Sequence, residues 1–157
     1  MFENTSFSIN DANFIVRPVI YSDYHKSYFE LLKQLTYIDH EKIHIDDFNH
    51  FVDSLNPKHV VVVVENTDTH TIVGTITILI ENKIIHNMGR VAHVEDLVVD
   101  KSCRGYGIGK MLIDASIDYS KTHQCYKTIL DCSEINVGFY EKNGGFTEKG
   151  ICMALYH

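Results

Sequence analysis

The sequence predicts an α/β fold of the α+β kind, a mixed and mostly antiparallel central sheet flanked by helices, in the order β-α-α-β-β-β-α-β-α-β. Three observations predict it. Stretches with apolar residues at three-to-four spacing alternate with short runs rich in β-branched residues. The strand-type runs of the first half are separated by turn-length segments, which builds that half from hairpins. A glycine-rich turn in the second half joins a strand directly to a helical pattern.

Taken in order, an extended stretch at residues 13–17 is closed by Pro18. Tyr21, Tyr24, Tyr28, Leu31, Leu32 and Leu35 then recur at the spacing of one amphipathic helix. A shorter helix is expected from about Asp46 to Leu55, ended by Asn56-Pro57. Val60 to Val64 reads as a buried strand, Asn66 to His70 as a turn, and Thr71 to Ile80 as the next strand. Ala92 to Val99 is a further strand. Met111, Leu112, Ala115 and Tyr119 mark one face of a helix from about Ile108 to Lys121. A strand at Tyr126 to Leu130, a helix from Glu134 to Lys142, the turn Asn143-Gly144-Gly145 and a last strand ending near Leu155 complete the order.

Composition bounds the function. With 157 residues, 45% hydrophobic and 11% aromatic, the chain reads as one globular domain spanning residues 1–157. A net charge of −7 argues against nucleic acid or an anionic membrane as partner. No apolar run approaches the ~20 residues of a membrane span, and the N-terminus lacks a signal-peptide pattern, so a cytosolic (cytoplasmic) location is expected. Cys103, Cys125, Cys132 and Cys152 show neither C-x-x-C nor zinc-knuckle spacing and read as reduced thiols, with Cys132 a small apolar thiol at the end of a buried strand. Asn4-Thr5-Ser6 matches a glycosylation sequon that needs a secretory route to be used.

His40-Glu41-Lys42-Ile43-His44 matches H-E-x-x-H, which binds zinc when both histidines lie on one helical turn. Here it falls between two helical patterns and no third ligand follows. The expected reading is a polar loop and no metal.

The turn Arg104-Gly105-Tyr106-Gly107-Ile108-Gly109-Lys110 carries the chemistry. Glycines let successive N–H groups converge, and the helix that follows adds its positive end, so the segment suits a diphosphate. Lys110 is followed by Met111, which removes the hydroxyl of a nucleotide-hydrolase phosphate loop. A dinucleotide fingerprint would open an early βαβ unit, and this loop lies in the second half of the chain. R-G-x-G-I-G after a strand and before a helix resembles the acyl-CoA pyrophosphate loop of the GCN5-related N-acetyltransferases (GNAT), [QR]-x-x-G-x-[GA]. The element order resembles that superfamily's fold as well.

Six stretches narrow the resemblance: F-I-V-R-P at 14–18, L-L-K-Q-L-T at 31–36, K-I-I-H-N at 83–87, V-E-D-L-V-V at 94–99, C-Y-K-x-x-L-D-C at 125–132 and N-V-x-F-Y-E-K at 136–142. Together they resemble the glucosamine-6-phosphate N-acetyltransferase family. That resemblance implies acetyl transfer from acetyl-CoA, the cosubstrate, to the 2-amino group of glucosamine 6-phosphate, toward UDP-N-acetylglucosamine, in a homodimer. It implies that the backbone of Leu97, Val98 and Val99 meets the pantetheine arm and that Arg104, Gly105, Tyr106, Gly107, Ile108, Gly109 and Lys110 hold the pyrophosphate. Asn136, Tyr140 and Lys142 would complete the cosubstrate site, with the Tyr140 hydroxyl serving the departing thiolate. Glu95, Asp96 and Asp131 would orient the sugar and its amine, and Thr36, Lys83, His86, Lys127 and Tyr156 would surround its hydroxyls and phosphate.

Read without the resemblance, Tyr140 is a core tyrosine, Lys83 and His86 are strand-end surface residues and Lys127 snorkels beside a buried run. Alternation along a strand sends Glu95 and Asp96 to opposite faces, so that one at most presents its side chain to a sugar. Two departures stand out. Family members carry a basic residue three positions after the methionine of the last strand, reaching the phosphate across the dimer; counted from Met153 that place is Tyr156, with His157 the only cation nearby. The family's E-K-x-G-F is one residue longer here, at Asn143-Gly144-Gly145, which shifts the last strand's register or widens a turn. An acetyltransferase for another amine, a protein N-terminus or a polyamine, would keep the CoA residues and lose the sugar set. A non-catalytic acyl-CoA sensor would keep the loop without needing Tyr140.

Overall fold

In the computed structural model, which describes residues 2–156, the run of five valines at 60–64 lies near the middle of the sheet, and Val61 to Val64 are buried, on alternate faces. Val62 and Val64 join a core with Phe14, Val16, Ile76, Ile78, Leu112 and Ile113. Val61 and Val63 join a second core with Tyr28, Phe29, Leu31 and Phe48. Alternating side chains serve opposite faces, so a strand covered by both layers reads as an unbroken apolar run.

Six strands lie across one sheet in chain order: β1 (Thr5–Ile9), β2 (Ala12–Pro18), β3 (His59–Asn66), β4 (Thr71–Asn82), β5 (Arg90–Val99) and β6 (Cys125–Leu130). Neighbours pair antiparallel from β1 to β5, and β5 pairs parallel with β6. Helices α1 (Tyr28–Leu32) and α2 (Ile45–Ser54) pack on one face, and α3 (Ile85–Met88) is a single turn between β4 and β5. Helix α4 (Ile108–Thr122) crosses the other face from β5 to β6, and α5 (Glu134–Gly144) follows β6. The mixed sheet with helices on both faces is the architecture the sequence predicts. At Gly74 a Cβ would lie 3.1 Å from Ile108 and 3.3 Å from Leu112, so the glycine lets α4 seat directly on β4.

Three elements differ from expectation. Strand β1 extends the sheet beyond residues 13–17; Thr5-Ser6-Phe7-Ser8-Ile9 alternates, Asn10 and Asp11 form the turn at positive φ, and Phe7 stacks on Phe14 at 5.2 Å. The single helix expected from Tyr21 to Leu35 is broken. Asp23, fully buried, accepts two bonds from the Arg17 guanidinium at 2.7 and 2.6 Å and one from the Ile20 N–H at 2.9 Å. Arg17 also donates to Glu65 at 2.6 Å, and Lys26 donates to Glu65 at 2.7 Å. The carbonyl of Lys26 accepts from the Ile72 N–H at 2.8 Å rather than from a helical turn, and Ser27 sits at φ +60°. Ion pairing and sheet bonding thus override the apolar periodicity, leaving a 3-10 turn (Tyr21–His25) ahead of α1.

The third difference is at the C-terminus, where residues 146–156 form no strand. Their side chains include Ile151, Met153, Leu155 and Tyr156, all exposed. The segment pairs with no strand among the described residues, although β6 ends the sheet with a free edge. The additional residue near Asn143 is absorbed at the end of α5: Gly144 completes the helix and Gly145 caps it at φ +65°.

Candidate active site

Strand β5 is paired on both sides only in its first half. Its register with β6 ends at Val94 opposite Leu130, so residues 95–99 keep β4 on one side and an open edge on the other. Between Thr75 and Thr77 of β4 the β5 register slips, setting Asp96 and Leu97 opposite one residue, with Asp96 at φ +52°. This is a β-bulge, a device that re-aims side chains where pairing ends. It also replaces strict alternation: Glu95 and Asp96 line the same cleft.

That cleft has a volume of about 410 Å³. Leu35 and Thr36 enter it from the segment after α1, residues 94–97 from β5, and Asp131, Cys132 and Ser133 from the β6–α5 connection. Asn136 and Tyr140, one helical turn apart on α5, close it. Burial pushes the Glu95 carboxyl above its ordinary range, and the neighbouring charges of Asp131 and Asp96 push it further. Burial and then Cys132 push the Tyr140 hydroxyl up as well, so it stays protonated at neutral pH and can donate. Among the described residues it makes no hydrogen bond, and it lies on the wall of the cleft. The nearby Asp131 carboxylate pushes the Cys152 thiol up.

The glycine loop follows the open edge of β5. Asp100 caps the turn Lys101–Cys103 and Arg104 Nε donates to the Val99 carbonyl at 3.2 Å. Gly105 and Gly107 sit at φ +87° and +79°, with open space where a side chain would project. α4 starts straight after Gly107 and no side chain caps it, so its first N–H groups are left without a capping partner. The Lys110 ammonium pairs with Asp114 at 2.5 Å. Gly109 has a different reason to be small: a Cβ there would lie 3.0 Å from the Phe139 ring, so it serves the contact between α4 and α5.

The cleft therefore gathers Thr36, Glu95, Asp96, Leu97, Asp131, Asn136 and Tyr140 and leaves other candidates outside it. Lys83 pairs with Glu81 at 2.5 Å, the His86 and Tyr126 rings lie 4.2 Å apart, and Lys127 sits 5.7 Å from the Tyr126 ring. Lys127 is in register with Val91, about 13 Å along β5 from Glu95. Lys142 is exposed on the last turn of α5 and Tyr156 is exposed beyond it; His157 lies outside the described residues. Sequence reading missed Leu35 and Ser133 as wall residues and mistook Cys132. The thiol expected at a buried strand end is exposed on the cleft wall, because β6 stops at Leu130. His40 lies in a 3-10 turn and His44 precedes α2, so the H-E-x-x-H spacing has no helix under it; among the described residues no metal-binding cluster forms. No helix among them is long and apolar enough to cross a membrane.

A glycine loop on an uncapped helix, next to a strand edge freed from its parallel neighbour, defines a GNAT acetyltransferase, and the model of the acetyltransferase (GNAT) family matches residues 18–146. The glucosamine 6-phosphate N-acetyltransferase of Arabidopsis thaliana is 37% identical over 91% of this chain and 96% of its own length. Its Dictyostelium discoideum counterpart is 35% identical over 95% of this chain and 94% of its own length. The crystal structure of the Arabidopsis enzyme superposes with a TM-score of 0.86 at 36% identity, covering 91% of this chain and 97% of that one. The chain belongs to the GNAT family and, within it, to the glucosamine 6-phosphate N-acetyltransferases.

Proposed function

We propose that this chain transfers the acetyl group of acetyl-CoA to the 2-amino group of D-glucosamine 6-phosphate, giving N-acetylglucosamine 6-phosphate and CoA on the way to UDP-N-acetylglucosamine. The observation that carries the reading is the convergence of Glu95, Asp131, Asn136 and Tyr140 on a strand edge that runs straight into the glycine loop. Acetyl-CoA supplies an acyl group already activated for attack by an amine. The open side of β5 at Leu97 to Val99, where the Val99 carbonyl already accepts from Arg104, meets its pantetheine arm, and the N–H groups of Arg104 to Lys110 suit its pyrophosphate. Tyr140, held protonated, delivers its proton to the departing sulfur, and Asn136 orients the same end. Glu95, more basic than an ordinary carboxylate, accepts the proton that the amine sheds. Asp96 and Asp131 hold the sugar.

Lys83, His86, Lys127 and Tyr156, apart from the cleft of their own chain, serve a sugar bound where two copies meet. The exposed Ile84, Ile85 and Met88, together with the apolar residues 151–156, support a homodimer in which each C-terminal segment pairs with the partner. Free thiols, two of them exposed, suit a reducing compartment, and the reading places the reaction in the cytosol.

Thiol release from acetyl-CoA tests the reaction, with glucosamine 6-phosphate run beside glucosamine, a polyamine and an N-terminal peptide. The phosphorylated sugar should be preferred; equal rates with glucosamine at low concentration would remove the phosphate pocket, and preference for peptide would assign another acceptor. Light scattering should give about twice the 18.0 kDa chain mass, and a monomer would remove the shared site.

A further inference from the structure

Gln34 uses both ends of its carboxamide on one target. Its Nε2 donates to the Asp100 carboxylate at 2.7 Å, and its Oε1 accepts from the Lys101 N–H at 3.0 Å. Asp100 is itself fixed: its N–H donates to the Val73 carbonyl at 2.8 Å and its other oxygen accepts from the Ser102 N–H at 2.8 Å. An amide that donates and accepts at once has one orientation, and a carboxylate as acceptor makes the donated bond a charge-assisted one.

The two ends of this clasp belong to different parts of the site. Asp100 and Lys101 join the open edge of β5 to the glycine loop. Gln34 is followed by Leu35 and Thr36, the wall of the cleft opposite α5. That wall is otherwise weakly held. Its backbone N–H groups bond only to Leu32, at 3.0 and 3.2 Å, and both side chains are exposed. Among the described residues no other side-chain hydrogen bond joins residues 33–36 to residues 95–110.

We infer that Gln34 is a positioning residue that transmits occupancy of the glycine loop to the acceptor wall at Leu35 and Thr36, so that the two substrates reinforce each other's binding. The inference rests on the reading of the loop as the CoA site. A bound pyrophosphate damps the motion of the loop beyond Asp100, Lys101 included; the clasp passes that restraint to residues 34–36, and a ligand meeting that wall bears less of the ordering cost. Reciprocity requires the acceptor to tighten CoA by the same factor.

Hydrogen exchange with CoA alone as the probe tests this without relying on the sugar. In the unmodified protein CoA should slow exchange in the glycine loop and also at residues 33–36. In Gln34→Ala, and in Gln34→Glu, whose charge opposes Asp100, protection should persist in the loop and vanish at 33–36. Calorimetry with glucosamine 6-phosphate should show it bound about fivefold or more tighter in the presence of CoA, a factor that falls to near one in both variants while CoA affinity changes by less than about threefold. Protection of 33–36 that survives in both variants, or that never appears when the loop is protected, overturns the coupling. Absence of protection in the loop itself overturns the CoA reading and the coupling with it, and its location tells the two failures apart.

Discussion

The Arg17 cluster and the open half of β5 lie in one sheet and treat polar groups in opposite ways. Around Arg17 charges are buried and matched: the guanidinium spans two carboxylates, and Lys26 takes the remaining oxygen of Glu65. Burial pushes Glu65 up, yet Lys26 and Arg17 prevail and hold its carboxyl below the ordinary range. At residues 95–99 a strand edge is left without a neighbour, the Glu95 carboxyl is pushed up by burial and then by like charges, and across the cleft the Tyr140 hydroxyl makes no hydrogen bond among the described residues. A satisfied polar cluster fixes structure; an unsatisfied one is available to a ligand.

The most severe way to break the contrast is Arg17→Met, which abandons two buried carboxylates and should cost about 3–5 kcal/mol, read as a lower midpoint in urea. The cluster should also fail in acid. A lowered Glu65 value contributes stability above its ordinary value near 4.5, and that contribution is lost as pH falls through the folded value. If the variant melts like the parent, burial of this cluster is not what holds the N-terminal turn.

On the open side, Tyr140→Phe removes a hydroxyl and little volume, and should lower kcat by roughly ten- to a thousandfold with acetyl-CoA affinity nearly unchanged. A parental kcat with chemistry limiting would return Tyr140 to packing. Gly107→Val places a β-branched residue at φ +79° without any clash, so its cost is backbone strain of about 1–3 kcal/mol and distortion of the loop. CoA binding measured by calorimetry should weaken about tenfold or more. Full CoA affinity in that variant would move the cradle elsewhere.

The mildest change sharpens the comparison because its sign is reversed. Glu95→Gln should lower activity and raise the melting temperature at pH 7. A carboxyl whose folded value is raised contributes stability below its unfolded value, near 4.5, and loses it as pH rises through the folded value. The difference between variant and parent should therefore shrink to nothing in acid. A variant less stable at neutral pH would show that Glu95 is held by favourable contacts after all.

What could be read from the residues divides along the same line. Strands β3 and β4, helix α4 and the glycine loop were legible because each is specified by local pattern: an apolar run, a three-to-four spacing, glycines before a helix. The β1 strand carried its signal too, in alternating Thr5-Ser6-Phe7-Ser8-Ile9 and the Asn10-Asp11 turn. The break before α1 was not legible, since it depends on Arg17 meeting Asp23 and Glu65 across the sheet. Nor was the bulge at Asp96, which arises from the register of β4 against β5. The exposure of Cys132 follows from where β6 ends, and periodicity marks strand ends poorly. The glycine at 109 was legible as a loop residue but its contact with Phe139 was not.

The double burial of β3 bears on how the molecule comes apart. Val62 and Val64 belong to the core under α4, and Val61 and Val63 to the core under α1 and α2. Neither layer can lose its packing without exposing the strand that completes the other. Unfolding should then be a single cooperative event, with calorimetric and van't Hoff enthalpies that agree. A truncation such as Val62→Ala on one face should lower the midpoint reported by probes on both faces equally, so that damage to the layer under α4 is felt at once by the layer that carries Gln34 and Thr36.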